Sequence, residues 1–287
     1  MSRKLALLAS VIAMPLLAAP AFAAPGQAPA TQAASTQAAA QGNAQAAAAT
    51  AAKPRPTPEK ATPEQRAEAE RLDPLARAAF WARETDVDPL DNDARLKLAK
   101  ALRALGRFDE ATADADQVLV MEPTNYEALL ESARSRIAAN QGFYAIDTAQ
   151  RAEALQPRDW RPVSLLAVAL EQSDRDSDAL VAHQKALALA PNNPATLTNL
   201  GMYFATHGDP ARAEPLLRQA AAAPGATAQE RQNLALVLGL EGKLDEAERL
   251  ERQDLPPDAV QNNLAYLRAD NAPPHARTWD SLKSPSP

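Results

Sequence analysis

The chain has 287 residues, 46% of them hydrophobic but only 4% aromatic, with 9 glycines, a high alanine content and no cysteine. Disulfides, thiolate metal sites, a cysteine nucleophile and a lipidated cysteine are excluded together, and the alanine-rich profile suits close helix packing rather than a β-rich core. The formal charge is −6, but residues 62–287 alone carry −10; such an acidic body repels phosphate backbones and argues against nucleic acid as a partner.

Residues 1–23 open on Arg3 and Lys4, continue with an apolar run from Leu5 to Leu17 and end on Ala21-Phe22-Ala23. A basic start, an apolar stretch of this length and small residues at −3 and −1 predict a cleavable secretory signal peptide. The run is too short to span a bilayer and is interrupted by Pro15 and Pro20. Export through a cleaved signal predicts a periplasmic protein with no membrane span after cleavage. Residues 24–61 are Ala, Gln, Thr and Pro with almost no large apolar side chain, which predicts a disordered linker.

Residues 62–91 are expected to form an N-terminal capping helix or half unit. Thr62-Pro63-Glu64 supplies an N-cap, a first-turn proline and an acidic first turn.

From residue 92 the chain repeats every 34 residues. Ala111, Ala145, Ala179, Ala213 and Ala247 form one small column, and Ala99, Ala133, Ala167, Gly201 and Ala235 form another. Leu98, Ser132, Leu166, Leu200 and Leu234 precede the second column, and Leu102, Arg136, Leu170, Phe204 and Leu238 follow it three residues later. Between the small columns stand Gly106, Asn140, Asp174, Gly208 and Gly242, residue types that tolerate the left-handed backbone ending a helix. Pro123, Pro157 and Pro191 close the first three units, and Pro224 falls one residue short of the fourth closure.

The pattern predicts five helix–turn–helix units over 92–125, 126–159, 160–193, 194–227 and 228–257, in which small residues let paired helices approach and large ones fill the grooves between units. Ser132 and Arg136 break the apolar columns, so the first helix of the second unit is expected to pack least well. Residues 258–270 are read as a C-terminal capping helix offering Val260, Leu264, Ala265 and Leu267 to the last pair. The tail 271–287 carries Trp279 and Leu282, read as a segment docked back on the solenoid or, as the alternative, a partner-binding tag.

Over 92–257 these columns match the tetratricopeptide repeat, whose resemblance implies an all-α, right-handed superhelical solenoid binding protein partners. Within 192–268, RQNLALVLGL and LPPDAVQNNLAYLR resemble the TadD-type proteins of tight-adherence (Flp-type) pilus assembly. That resemblance implies a periplasmic scaffold of a pilus or secretion apparatus, with pilus or secretion-channel components as partners. Many members are lipoproteins, and the absence of cysteine here removes that anchor. The alternative is a periplasmic regulator of cell-wall synthesis or division enzymes.

No catalytic constellation is legible, and neither a cofactor nor a metal site is expected. His183, His207 and His275 are the only histidines. His183 shares a column with Ala115, Ala149 and Leu217 and is read as packing; His207 is read as meeting terminal carbonyls at a helix end. Acidic pairs such as Asp245-Glu246 are read as solvated helix starts.

In this repeat class the first helices line a concave groove, which the repeat phase assigns to Lys100, Arg103, Glu127, Arg134 and Arg161 in a charged half. Glu171 belongs to that mixed half, and Thr198, Met202, Gln232 and Leu236 form an uncharged second half. A partner's acidic or C-terminal segment is expected against Lys100, Arg103, Arg134 and Arg161. The lysine-and-asparagine carboxylate clamp of chaperone-docking tetratricopeptide domains is not matched: Asn199 and Asn233 recur one period apart, but no lysine precedes either.

Overall fold

The computed structural model describes residues 59–271, and every regular element in them is helical. The leading pair is α1 (Pro63–Ala69) and α2 (Pro74–Val87). Five pairs follow: α3 (Asn92–Ala104) with α4 (Phe108–Met121), α5 (Tyr126–Ala138) with α6 (Gly142–Leu155), α7 (Trp160–Glu171) with α8 (Asp176–Leu189), α9 (Pro194–Thr206) with α10 (Pro210–Ala221), and α11 (Ala228–Leu240) with α12 (Leu244–Glu251). The final helix is α13 (Pro257–Asn271).

The predicted turn column is left-handed at every position, with φ of 76° at Gly106, 58° at Asn140, 55° at Asp174, 81° at Gly208 and 80° at Gly242. A second column, not singled out in the sequence, starts each first helix. The side chains of Asp91, Asn125, Asp159, Asn193 and Thr227 accept backbone N–H bonds at the N-termini of α3, α5, α7, α9 and α11. The second helices α4, α6, α8 and α12 begin without a side-chain cap, whereas Asp209 caps α10.

The small columns are where paired helices cross, and their alanines are fully buried. At Gly201 a Cβ would lie 2.9 Å from Leu217 Cγ. Leu217 stands where earlier units have Ala115 and Ala149, and its extra volume is accommodated by removing a methyl opposite. The large columns are buried too, with Leu102, Leu170, Phe204 and Leu238 all inside. The core is broadest over units three to five, where Leu170, Leu200, Tyr203, Phe204, Leu217, Leu234 and Leu238 form one cluster.

The expectation for α5 is corrected. Ser132 is completely buried, and its hydroxyl donates to Asp116 Oδ1 at 2.7 Å while accepting from Arg136 Nη1 at 2.9 Å. Arg136 Nη2 closes the triangle on Asp116 Oδ2 at 2.6 Å. A satisfied polar network thus occupies the space that leucines fill elsewhere, and α5 packs as fully as its neighbours.

Both ends are closed, though not as the sequence suggested. The segment 62–91 is a complete pair whose first helix is shortened. Lys60 and Ala61, placed by the sequence in the linker, are tied down by ion pairs from Lys60 to Asp88 (2.6 Å) and Asp91 (3.4 Å) and by the Ala61 N–H donating to Glu84. At the other end Val260, Leu264 and Leu267 of α13 are buried against α11 and α12, whereas Ala265 faces solvent. The expected signal peptide (1–23), residues 24–58 of the expected linker, Trp279 and Leu282 lie outside the described residues. No helix among those described is long and apolar enough to cross a membrane.

Candidate functional site

First helices of successive units touch one another, while second helices of successive units scarcely do. A stack with one tight row and one splayed row curves toward the tight row, so α3, α5, α7, α9 and α11 line the inner face.

The structure sorts the predicted groove residues into three kinds. Some are already spent on each other. Arg103 Nε donates to Glu131 Oε1 at 2.6 Å, and Glu131 is completely buried. Arg161 is held by Asp159 (2.7 Å), reaches Glu127 at 3.3 Å and lies 5.4 Å above the Tyr126 ring. Burial pushes the Asp159 carboxyl up, but hydrogen bonds from Arg161 and Tyr126 outweigh it and hold the group below the usual carboxylate range. Burial and the hydrogen bond to Asp159 push the Tyr126 phenol to about 12. Glu171 accepts from the buried His183 Nε2 at 2.9 Å, so the packing read for His183 includes a polar partner. His207 Nδ1 meets the Tyr203 carbonyl at 2.7 Å, as read for a helix end.

Others are inside. Met202 belongs to the core and Thr198 is buried, which corrects their placement as groove side chains open to a partner. Gln232 and Leu236 are half-buried on the inner face.

The third kind keeps unused capacity. Lys100 reaches only Glu127, at 3.7 Å. The Arg134 guanidinium lies 3.8 Å from Glu131 and makes no hydrogen bond with any described group. Burial pulls the Arg134 guanidinium below its ordinary value, Glu131 opposes this, and neighbouring Arg103 adds to it.

These two side chains open onto a cleft of about 370 Å³ that also takes in Arg77, Lys97 and Arg103, with Glu70 and Glu131 as its acids. Five cations face two carboxylates there. Arg77 and Lys97 were missed by the repeat phase, yet a signal existed. Arg77 falls one period before Ala111, and an arginine in a column of alanines marks a position that opens to solvent. Among the described residues no group of three or more His, Cys, Asp or Glu could hold a metal ion.

A family model described as tetratricopeptide repeat matches residues 93–121, which span α3 and α4. The fold is that of a tetratricopeptide repeat protein. The solenoid is similar to a thermophilic TPR protein of Thermus thermophilus, at 24% identity and a TM-score of 0.55, covering 62% of this chain and 99% of that one. It is also similar to a tetratricopeptide repeat protein of Parabacteroides merdae, at 13% identity and a TM-score of 0.61, covering 72% of this chain and 86% of that one. No curated protein matches the chain. The family model covers one unit; the other tetratricopeptide units are carried by the 34-residue columns and by the helices themselves.

Proposed function

We propose that this chain is an exported tetratricopeptide scaffold, acting in the periplasm, that binds protein partners during assembly of a tight-adherence (Flp-type) pilus or secretion apparatus. The observation that carries the scaffold reading is the continuous inner row of first helices, which presents Lys100, Glu127, Arg134, Arg161, Gln232 and Leu236 along one face. Such a face binds an extended segment by side-chain contacts over several units rather than by enclosing a small molecule. Export is supported by residues 1–23, and the pilus setting by the resemblance of 192–268 to TadD-type proteins.

The test is affinity capture with residues 24–287 from solubilised envelope, read by mass spectrometry. Recovery of a secretin or another pilus-assembly component is expected. Recovery of wall-synthesis enzymes instead would overturn the pilus setting while leaving the scaffold.

A further inference from the structure

We propose that the cleft between the leading pair and the first two repeats seats an acidic, extended segment of the protein partner, held by Arg77, Lys100 and Arg134. The inference rests on the scaffold reading and names the chemistry of its ligand.

The first argument is local charge against global charge. Residues 62–287 carry −10, yet this cleft gathers five cations and two carboxylates. Glu131 is taken by Arg103, and Lys97 by Asp93 at 3.1 Å and Glu70 at 3.7 Å. The Arg77 side chain makes no ion pair or hydrogen bond with any described group, and Lys100 and Arg134 are only loosely engaged.

The second argument is desolvation. Arg134 is partly buried without a hydrogen-bonded partner, so its guanidinium bears a cost that an incoming anion would relieve. A carboxylate bound there gains a bidentate contact with a donor fork that no protein group uses.

The third argument is spacing. Lys100 and Arg134 hold equivalent places one repeat apart, on the touching helices α3 and α5. Packed helix axes lie about 8–10 Å apart, and an extended chain advances roughly 3.3 Å per residue. Carboxylates two or three residues apart on an extended segment therefore match the interval between the two helices.

The experiment measures binding of fluorescently labelled hexaglutamate to residues 24–287 by anisotropy, with hexaglutamine as the neutral control. The triple variant R77Q/K100Q/R134Q is expected to weaken hexaglutamate binding by about tenfold or more, as is raising the salt several-fold. R134K keeps the charge but not the fork and should fall between. Arg103 is left intact because its loss would strand the buried Glu131, and thermal melts confirm that the variants stay folded. Equal affinity of wild type and triple variant, or binding of hexaglutamine, would overturn the seat, as would displacement by millimolar inorganic phosphate. If the triple variant still captures the wild type's envelope partners, the seat fails and the scaffold reading stands. If hexaglutamate binds as expected but no partner is captured, the scaffold reading fails and the seat stands.

Discussion

The two ends of this solenoid solve one problem with opposite chemistry. Each terminal unit exposes a face that a neighbour would otherwise cover. At the leading end the cover is ionic. Completely buried Glu84 accepts from the Ala61 N–H and from Arg66, whose Nη2 also reaches Asp91 at 2.6 Å, while Lys97 Nζ sits 4.5 Å from the centre of the buried Trp81 ring. At the trailing end the cover is apolar. Val260, Leu264 and Leu267 of α13 close over α11 and α12, and a Cβ at Gly239 would collide with the Leu267 side chain. The trailing end has one polar flaw: Glu251 is buried, Asn263 donates to its Oε1 at 3.1 Å, and its Oε2 has no partner. An ionic cap depends on every partner being present, whereas an apolar cap depends on volume.

The largest effect that would break this contrast is expected from Glu84→Ala. It removes the buried acceptor of the Ala61 N–H and of two Arg66 donors, leaving Arg66 on Asp91, so the leading pair should lose about 3–5 kcal/mol. Hydrogen exchange should show the loss confined to α1 and α2. Protection lost evenly along the chain would mean that the ends are not independent. Leu267→Ala at the other end should cost about 2–4 kcal/mol through the cavity it leaves, with exchange rising first in α13.

The two caps should also answer pH in opposite senses. Burial pushes the Asp91 carboxyl up, but the hydrogen bonds from Arg66 and the Ala94 N–H outweigh it and hold the group at about 2. A carboxylate depressed in the folded state contributes stability above its unfolded value. That contribution, roughly 2 kcal/mol here, is lost as pH falls from about 4 toward 2. At the trailing end burial raises the Glu251 carboxyl, with Glu248 adding to the rise. A carboxyl raised in the folded state favours folding while protonated, and that contribution disappears as pH rises through its folded value. Acid should therefore loosen α1 and α2 while leaving α13 firm. Glu251→Gln should stabilise α13 by about 1 kcal/mol at pH 7 and by nothing near pH 4; a gain equal at both pH values would refute the account of Glu251.

The smallest effect concerns a turn between these ends. Asp174 holds φ at 55° where three other units have glycine. Asp174→Gly should stabilise by a few tenths of a kcal/mol, up to ~1 kcal/mol, as seen in a thermal melt. Destabilisation would show that the aspartate side chain contributes more to that turn than its backbone costs.

The period, the helix pairs, the small crossing columns and the left-handed turns were all legible in the sequence, because each depends on one residue and its neighbours along a helix. Side-chain size at a crossing and positive φ at a turn are local requirements that leave a mark every 34 residues. What only the tertiary structure decided is where polar side chains go once helices from different units meet. Ser132 and Arg136 look like flaws in an apolar column until Asp116 of the preceding unit joins them. Arg103 and Arg161 look free for a ligand until Glu131 and Asp159 claim them, and Met202 falls at a groove position by phase yet lies in the core. Repeat phase assigns a residue to a face but does not say which opposite charge lies across the groove. Partnering of charges is set by contacts between distant residues, and that is why the fold was legible while the loosely held Lys100 and Arg134 could not be told from the paired Arg103 and Arg161.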